Sequence, residues 1–285
     1  MRALWQIQIV IAAAAFLFGL LIGSFLNVCI LRIPRGESIT LPASHCTKCG
    51  EPIKPYDNLP VLSWLFLRGR CRKCREPISW MYPAVELATG LLFLACCFAF
   101  GATLTGAKWA LFGALIIVLV VTDARERILP DKVNYFGLGL GIALSFFLHP
   151  VDGTAEWLSR RLFAFPPPLP VLAFADAALG VIAGSGLLWV VAEGYFRLRG
   201  HEGMGLGDVK MMAMAGAFLG LKRTLLTILL GSLLGSVLGL LFILIYRKGR
   251  RYELPFGTFL GAGALLVVFF GTPLLNWYQS MVSMR

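Results

Sequence analysis

Two carboxylates draw attention because the chain around them is so apolar. Asp123 closes the run that ends LVVTDARERILPD, and Asp208 follows three glycines on alternate positions in GMGLGDVKMM. An acid within a membrane-spanning segment costs about 3 kcal/mol or more and is a functional candidate by default. If the two acids face each other, their like charges cannot both ionise comfortably, so the pair holds one proton. Such a dyad activates water: one carboxylate takes a proton from the attacking water while the other donates to the carbonyl oxygen of a peptide bond. That is aspartyl protease chemistry. Gly205 and Gly207 would let an extended peptide backbone come close to Asp208. The competing reading makes Gly203, Gly205 and Gly207 a flexible loop and Asp208 a helix N-cap, and the residues alone leave both open. A phosphate-cradling loop fits less well, because no strand precedes the glycines.

Three further acids lie in apolar segments. Asp176 and Glu193 fall near opposite ends of one segment and read as interfacial groups within reach of water. Glu86, in MYPAVEL just after a helix-starting proline, reads as a complement to the positive end of a helix dipole.

The second constellation is sulfur. CTKC (Cys46, Cys49) and CRKC (Cys71, Cys74) are two knuckles separated by 21 residues. Each can present two thiolates to one tetrahedral ion, and a closed four-sulfur shell describes structural zinc. Lys48, Arg70, Arg72 and Lys73 are expected to offset the thiolate charge and favour deprotonation. Disulfides or a redox pair fit less well in a reducing compartment with no βαβ pattern nearby. Cys29, Cys96 and Cys97 lie in apolar segments as small hydrophobes, and His45 is expected to be a solvated neighbour of the full shell. The stretch containing Val61, Leu62, Trp64, Leu65, Phe66 and Leu67 is expected to form the small core of this module, the alternative being an interfacial position with Trp64 at headgroup depth.

The elements that must position these groups are membrane helices. Of the 285 residues 58% are hydrophobic and 14% charged, and the mean hydropathy is +0.78, which excludes an ordinary soluble domain. Eight apolar segments can be drawn, at 5–28, 83–101, 107–122, 133–148, 172–195, 209–221, 225–246 and 256–278. The first is too long for a cleavable signal peptide and lacks a small-residue cleavage pattern. Placing the loop 32–82 in the cytoplasm puts 19 of the 26 basic residues inside and both termini outside. The expected architecture is therefore an all-α polytopic membrane protein of about eight transmembrane helices, with a small cytoplasmic four-cysteine zinc module between helices 1 and 2. It divides into a first helix at 1–31, a zinc-binding loop at 32–82 and a transmembrane region at 83–285 that carries both aspartates. The RKGRR run at 247–251 reads as a stop-transfer anchor on lipid headgroups rather than a nucleic-acid site. The outer loop 149–171, with its triple proline, reads as a stiff connector.

Four stretches together resemble the type IV prepilin peptidase family, GxGD-type intramembrane aspartyl proteases of the bacterial inner membrane. They are GSFLNVCILRIP at 23–34, the two knuckles with DNLPVLSWLFLRGRC between them, D-x5-L-P-D at 123–131 and G-x-G-D-x-K at 205–210. The resemblance covers most of the chain. It implies cleavage of the leader of prepilins or type II secretion pseudopilins on the cytoplasmic side. It also implies methylation of the new N-terminal residue, usually phenylalanine, with S-adenosylmethionine. Asp123 and Asp208 then match the catalytic aspartates, and Cys46, Cys49, Cys71 and Cys74 the metal-binding cysteines. The methyltransferase region is expected in the cytoplasmic loop and the helices beside it. Leu129 stands where isoleucine is more usual, a conservative change. The main rival is a proton-coupled transporter with a zinc-stabilised loop, which calls for acids near the midplane and inverted repeats; a non-enzymatic scaffold would survive loss of the acids.

Overall fold

The computed structural model describes residues 2–148, 152–162, 165, 167–201, 203–246 and 255–283. Among them the chain is almost wholly helical, with a helical turn at Pro55–Asp57 and two isolated bridges but no β-strand. Its helices are α1 (Arg2–Arg32), α2 (Leu62–Phe66), α3 (Met81–Phe100), α4 (Leu104–Glu126), α5 (Asp131–Ser145), α6 (Thr154–Leu162), α7 (Leu169–Arg199), α8 (Leu206–Tyr246) and α9 (Phe256–Ser283). Two compact units share them, Met1–Val118 and Leu119–Arg285.

In the first unit α1 and α3 pack at backbone distance. A Cβ on Gly19 would lie 2.9 Å from the Gly90 Cα, and one on Gly23 only 2.6 Å from the Glu86 Cα. In a membrane, where lipid tails are as apolar as leucine, such close approach supplies the packing that apolar burial cannot. Glu86 does not serve a helix dipole as the sequence reading expected. It lies more than a turn inside α3, is buried, and accepts a hydrogen bond from the Val61 N–H at 2.7 Å, tying the cysteine loop to this helix.

In the second unit α8 packs against α5, α7 and α9. Gly220 interrupts it with φ 73 and ψ −179, a conformation that only glycine adopts freely. A Cβ on Gly184 of α7 would lie 2.4 Å from the Met212 carbonyl oxygen and 2.9 Å from Thr224 Cγ2. Twelve residues of straight helix span about 18 Å, so α8 doubles back at Gly220 into two arms. The sixth and seventh apolar segments of the sequence are these arms. Among the described residues six helices are long and apolar enough to cross a membrane, Leu206–Leu241 counted as one. The fourth expected segment forms only the 15-residue α5, about 22 Å long against a hydrocarbon core of about 30 Å.

Asp176 does not reach water as the sequence reading expected. It is fully buried and accepts hydrogen bonds from the N–H groups of Ala155 (2.6 Å) and Gly153 (3.2 Å), so it caps α6 from α7. Asp152 accepts from the Lys222 N–H at 2.6 Å, just past the Gly220 break. Together these acids fasten the reversal of α8 to the loop that the sequence read as a plain connector. Glu193 is partly exposed and paired with Arg197 at 2.7 Å. Of the outer loop, residues 149–151, 163, 164 and 166 lie outside the described residues, as does the RKGRR run.

Candidate active site

The second unit brings Asp123 and Asp208 together across 85 residues of sequence. Asp123 lies in the last turn of α4 and Asp208 is the third residue of α8. Position three is inside the helix, so the N-cap reading of Asp208 fails. The start of α9 locates both side chains: a Cβ built on Gly257 would lie 3.1 Å from Asp123 Oδ2 and 3.1 Å from Asp208 Oδ1. Two oxygens that reach one point this closely are no more than about 6.2 Å apart, twice that distance. Both carboxylates are more than nine-tenths buried, at 6% and 8% exposure.

Their hydrogen bonding is unequal. Asp123 Oδ2 accepts the Thr258 backbone N–H at 2.6 Å and the Thr258 hydroxyl at 2.9 Å. Asp208 Oδ1 is buried with no hydrogen-bond partner. The glycines also divide their labour. Leu129 fills the space beside Gly207, its Cβ 3.0 Å from where a side chain would start, so Gly207 serves packing and not substrate clearance. Gly205 is the open one: nothing lies nearer than 3.9 Å, and Asp208 Oδ2 is 4.0 Å away. Gly203 lies under the Tyr195 ring. The remaining charged residues of the two motifs meet as well, Lys210 bonding both carboxylate oxygens of Asp131 at 2.8 Å and so clamping α5 to α8.

The sequence reading missed Gly257 and Thr258. They open an apolar helix in PFGTFLGAGA, where neither residue type nor spacing advertises chemistry. The one usable signal was that a helix start carries unpaired N–H groups that an acid can fill.

In the first unit Cys46, Cys49, Cys71 and Cys74 form one cluster, with all four sulfurs within 4.8 Å of one another and no disulfide among the described cysteines. Cys46 Sγ and Cys74 Sγ are 3.7 Å apart. A tetrahedral ion with sulfur bonds of about 2.3 Å sets its ligands about 3.8 Å apart, so the cluster fits one metal ion. The two knuckles repeat each other as CTKCGEPI and CRKCREPI. In each, the first cysteine N–H donates to a glutamate carbonyl at 2.9 Å, Glu51 for Cys46 and Glu76 for Cys71. The side chains then cross over: Lys73 pairs with Glu51, and Lys48 with Glu76 at 3.7 Å.

The nearby cations act mainly on the acids of the module, although Lys73, held charged first by Glu51, is also favoured in that form by Cys49 and Cys71. Lys48, Lys73 and Arg72 are engaged by Glu76, Glu51 and Asp57. Cys46 is brought down to about 6 chiefly by the backbone N–H of Cys49, then that of Lys48. For Cys74 the Glu76 backbone N–H also pulls downward, but burial and the neighbouring thiols outweigh it and carry the group to about 12. His45 stays outside the shell, exposed and bonded to the Ala43 carbonyl at 2.9 Å. The apolar stretch between the knuckles is no closed core. The Trp64 indole packs on Gly69 and donates to the Ile78 carbonyl at 3.0 Å, while Leu65 and Phe66 on the same short helix are 58% and 83% exposed.

Comparison with known proteins follows the same division. Residues 17–100 match the Bacterial Peptidase A24 N-terminal domain. Residues 109–240 match the Type IV leader peptidase family. A prepilin leader peptidase/N-methyltransferase of Burkholderia pseudomallei (strain 1026b) is 34% identical, over 92% of this chain and 86% of that protein. Proteins of the same name from Pseudomonas putida and Bacillus subtilis (strain 168) are 33% and 32% identical, covering 90% and 93% of this chain and 90% and 97% of theirs. No solved structure matches the chain at a significant level. With two acids and four cysteines placed as described and identities above 30% across nearly the whole length, the chain belongs to the type IV leader peptidase family.

Proposed function

We propose that the chain is a bifunctional membrane enzyme: it removes the leader of type IV prepilins or type II secretion pseudopilins and N-methylates the residue so exposed, usually phenylalanine. The observation that carries this reading is the meeting of Asp123 and Asp208 beside Gly257, both buried, with open backbone at Gly205. Two buried carboxylates this close hold one proton between them, which is what hydrolysis by an aspartate dyad needs. A peptide backbone passing Gly205 would present its carbonyl to the pair, with its apolar helix lying in the bilayer beside the enzyme. A proton-coupled transporter has no observation in its favour.

The finer parts of the reading are these. The cysteine cluster holds zinc, since four thiolates in a closed tetrahedron suit that ion, and its role is structural. S-adenosylmethionine supplies the methyl group when bound. No β-strand exists among the described residues, so no strand-to-helix glycine turn holds this donor, and we place methyl transfer in the first unit, with the cysteine module and α1 to α3. The peptidase occupies the second unit. Eight crossings result if α5 and both arms of α8 each span the inner membrane. That arrangement sets Gly220, Lys222 and Asp152 together on the outer face and both acids toward the cytoplasm, in keeping with the excess of cations on that side.

The test is a peptide with a basic leader, a Gly–Phe junction and an apolar helix, presented to the purified protein in lipid with S-adenosylmethionine. Mass spectrometry should find the free leader and a mature peptide heavier by one methyl group. Asp208→Asn should lower cleavage by about 100-fold or more, and cleavage at the wild-type rate by that variant would end the proposal.

A further inference from the structure

Building on the dyad reading, we infer that Thr258 is a positioning residue that divides the work of the two aspartates, holding Asp123 as the ionised base and leaving Asp208 as the acid that carries the shared proton. The two aspartates have unequal partners. Thr258 is the third residue of α9, so its N–H is one of the amides that a helix start leaves unpaired. Asp123 takes it at 2.6 Å and takes the hydroxyl of the same residue at 2.9 Å, both on Oδ2. It therefore caps a helix other than its own, where the dipole of α9 also favours negative charge. The hydroxyl has the Val120 carbonyl as a second acceptor at 3.3 Å, the longer of its two contacts.

Asp208 has nothing comparable. It too stands in the first turn of a helix, α8, but no donor reaches its buried Oδ1. An ionised carboxylate with one oxygen buried and without a donor costs far more than the neutral carboxylic acid in the same place. With one proton for two groups, the lower-energy arrangement puts it on Asp208. The other charges near Asp123 do not reverse this. Arg127 lies just past the end of α4, the helix that carries Asp123, and its charge is opposite to that of the carboxylate. Asp131 and Lys210 engage each other, His201 stacks on Tyr195 at 5.5 Å, and Phe256, Gly257 and Thr258 at the start of α9 carry no charge.

The roles fix the direction of each proton. Asp123 takes a proton from water as the water oxygen bonds to the scissile carbonyl carbon, and Asp208 gives its proton to the carbonyl oxygen. On collapse the carbon–nitrogen bond breaks and Asp123 passes its proton to the leaving nitrogen. One hydroxyl of the diol returns a proton to Asp208 as the new carboxyl forms. One water has been added across the bond and the dyad is restored.

The experiment measures kcat/KM for leader cleavage against pH with the full-length protein in lipid, comparing wild type, Thr258→Val and Thr258→Ser. Valine keeps the shape and the backbone N–H but removes the hydroxyl donor. A lost hydrogen bond to a charged group makes ionisation harder, so the acid limb of the Thr258→Val profile should move to higher pH by about one unit. Serine restores the donor and should restore the wild-type limb. A purely structural role would lower the rate at every pH without moving the limb, and that result overturns the assignment. An independent measurement needs no Thr258 variant: infrared difference spectra at neutral pH should lose a protonated-carboxyl band in Asp208→Asn and keep it in Asp123→Asn, and the reverse pattern overturns the assignment. A wild type that does not cleave defeats the hydrolase reading, while the infrared comparison still decides where the proton sits.

Discussion

Replacing Gly257 by alanine tests the site geometry with a single methyl group. The added Cβ would lie 2.8 Å from Leu129 Cδ1 and 3.1 Å from one oxygen of each aspartate. Carbon atoms pack best at about 3.5–4.0 Å. The Leu129 end can swing aside, but the two carboxylates must give way by a few tenths of an ångström each, because the methyl would crowd one oxygen of each. Overpacking of this kind costs about 1–3 kcal/mol of stability, of which about 1 kcal/mol is offset by alanine being the better helix former. Catalysis is more sensitive. A displacement of about 1 Å costs about 100-fold, so about half that distance predicts a fall of about tenfold in kcat. The assay is steady-state cleavage of a prepilin-type peptide in lipid, with thermal unfolding of the same preparation as a control. A folded Gly257→Ala enzyme with wild-type kcat would show that the carboxylates do not flank this residue, and the reasoning would be wrong.

Other outcomes follow from other parts of the molecule. Gly180→Ala puts a Cβ 2.2 Å from the Gly216 carbonyl oxygen, where backbone cannot yield as a side chain can. It should destabilise the second unit by about 3 kcal/mol or more, read as a lower unfolding midpoint in detergent; an unchanged midpoint contradicts the close packing of α7 on α8. Asp176→Ala strands the N–H groups of Gly153 and Ala155, at about 1–3 kcal/mol for each buried donor. Limited proteolysis should then cut the α5–α7 connection sooner than in wild type, and equal cutting rates would remove Asp176 from its capping role. Metal binding by the cysteine module should depend on acidity with a known sign. Because Cys46 stands at about 6, it is already ionised above that pH and must lose a proton to bind below it. The plot of log affinity against pH should steepen as the pH falls through about 6, and a constant slope across that value would contradict it.

Residue type and spacing made much of this protein legible. The knuckles announce a four-sulfur cluster because tetrahedral binding constrains spacing within each pair, and that constraint is local. Asp123 and Asp208 were visible as charges that the bilayer penalises. Thr258 was not visible, since its role exists only through a contact with Asp123 across 135 residues of sequence. The division into two arms was legible, since Lys222 and Arg223 part the sixth and seventh apolar segments, but the reversal at Gly220 was not, because its φ of 73 is a property of the backbone. Asp176 was misread because position near a segment end says nothing of what packs over it, here the start of α6. Gly207 was misread because the space beside a glycine belongs to whichever side chain arrives there, and Leu129 does.

The central claim is that Asp123 and Asp208 act as one unit, and a double-mutant cycle on leader cleavage tests it most directly. Groups that share a proton fail together, so losing either removes what the other contributes. The account predicts that Asp123→Asn, Asp208→Asn and the double variant all lose activity to the same low level. Losses that multiply in the double variant, or a wild-type rate in either single one, would contradict it.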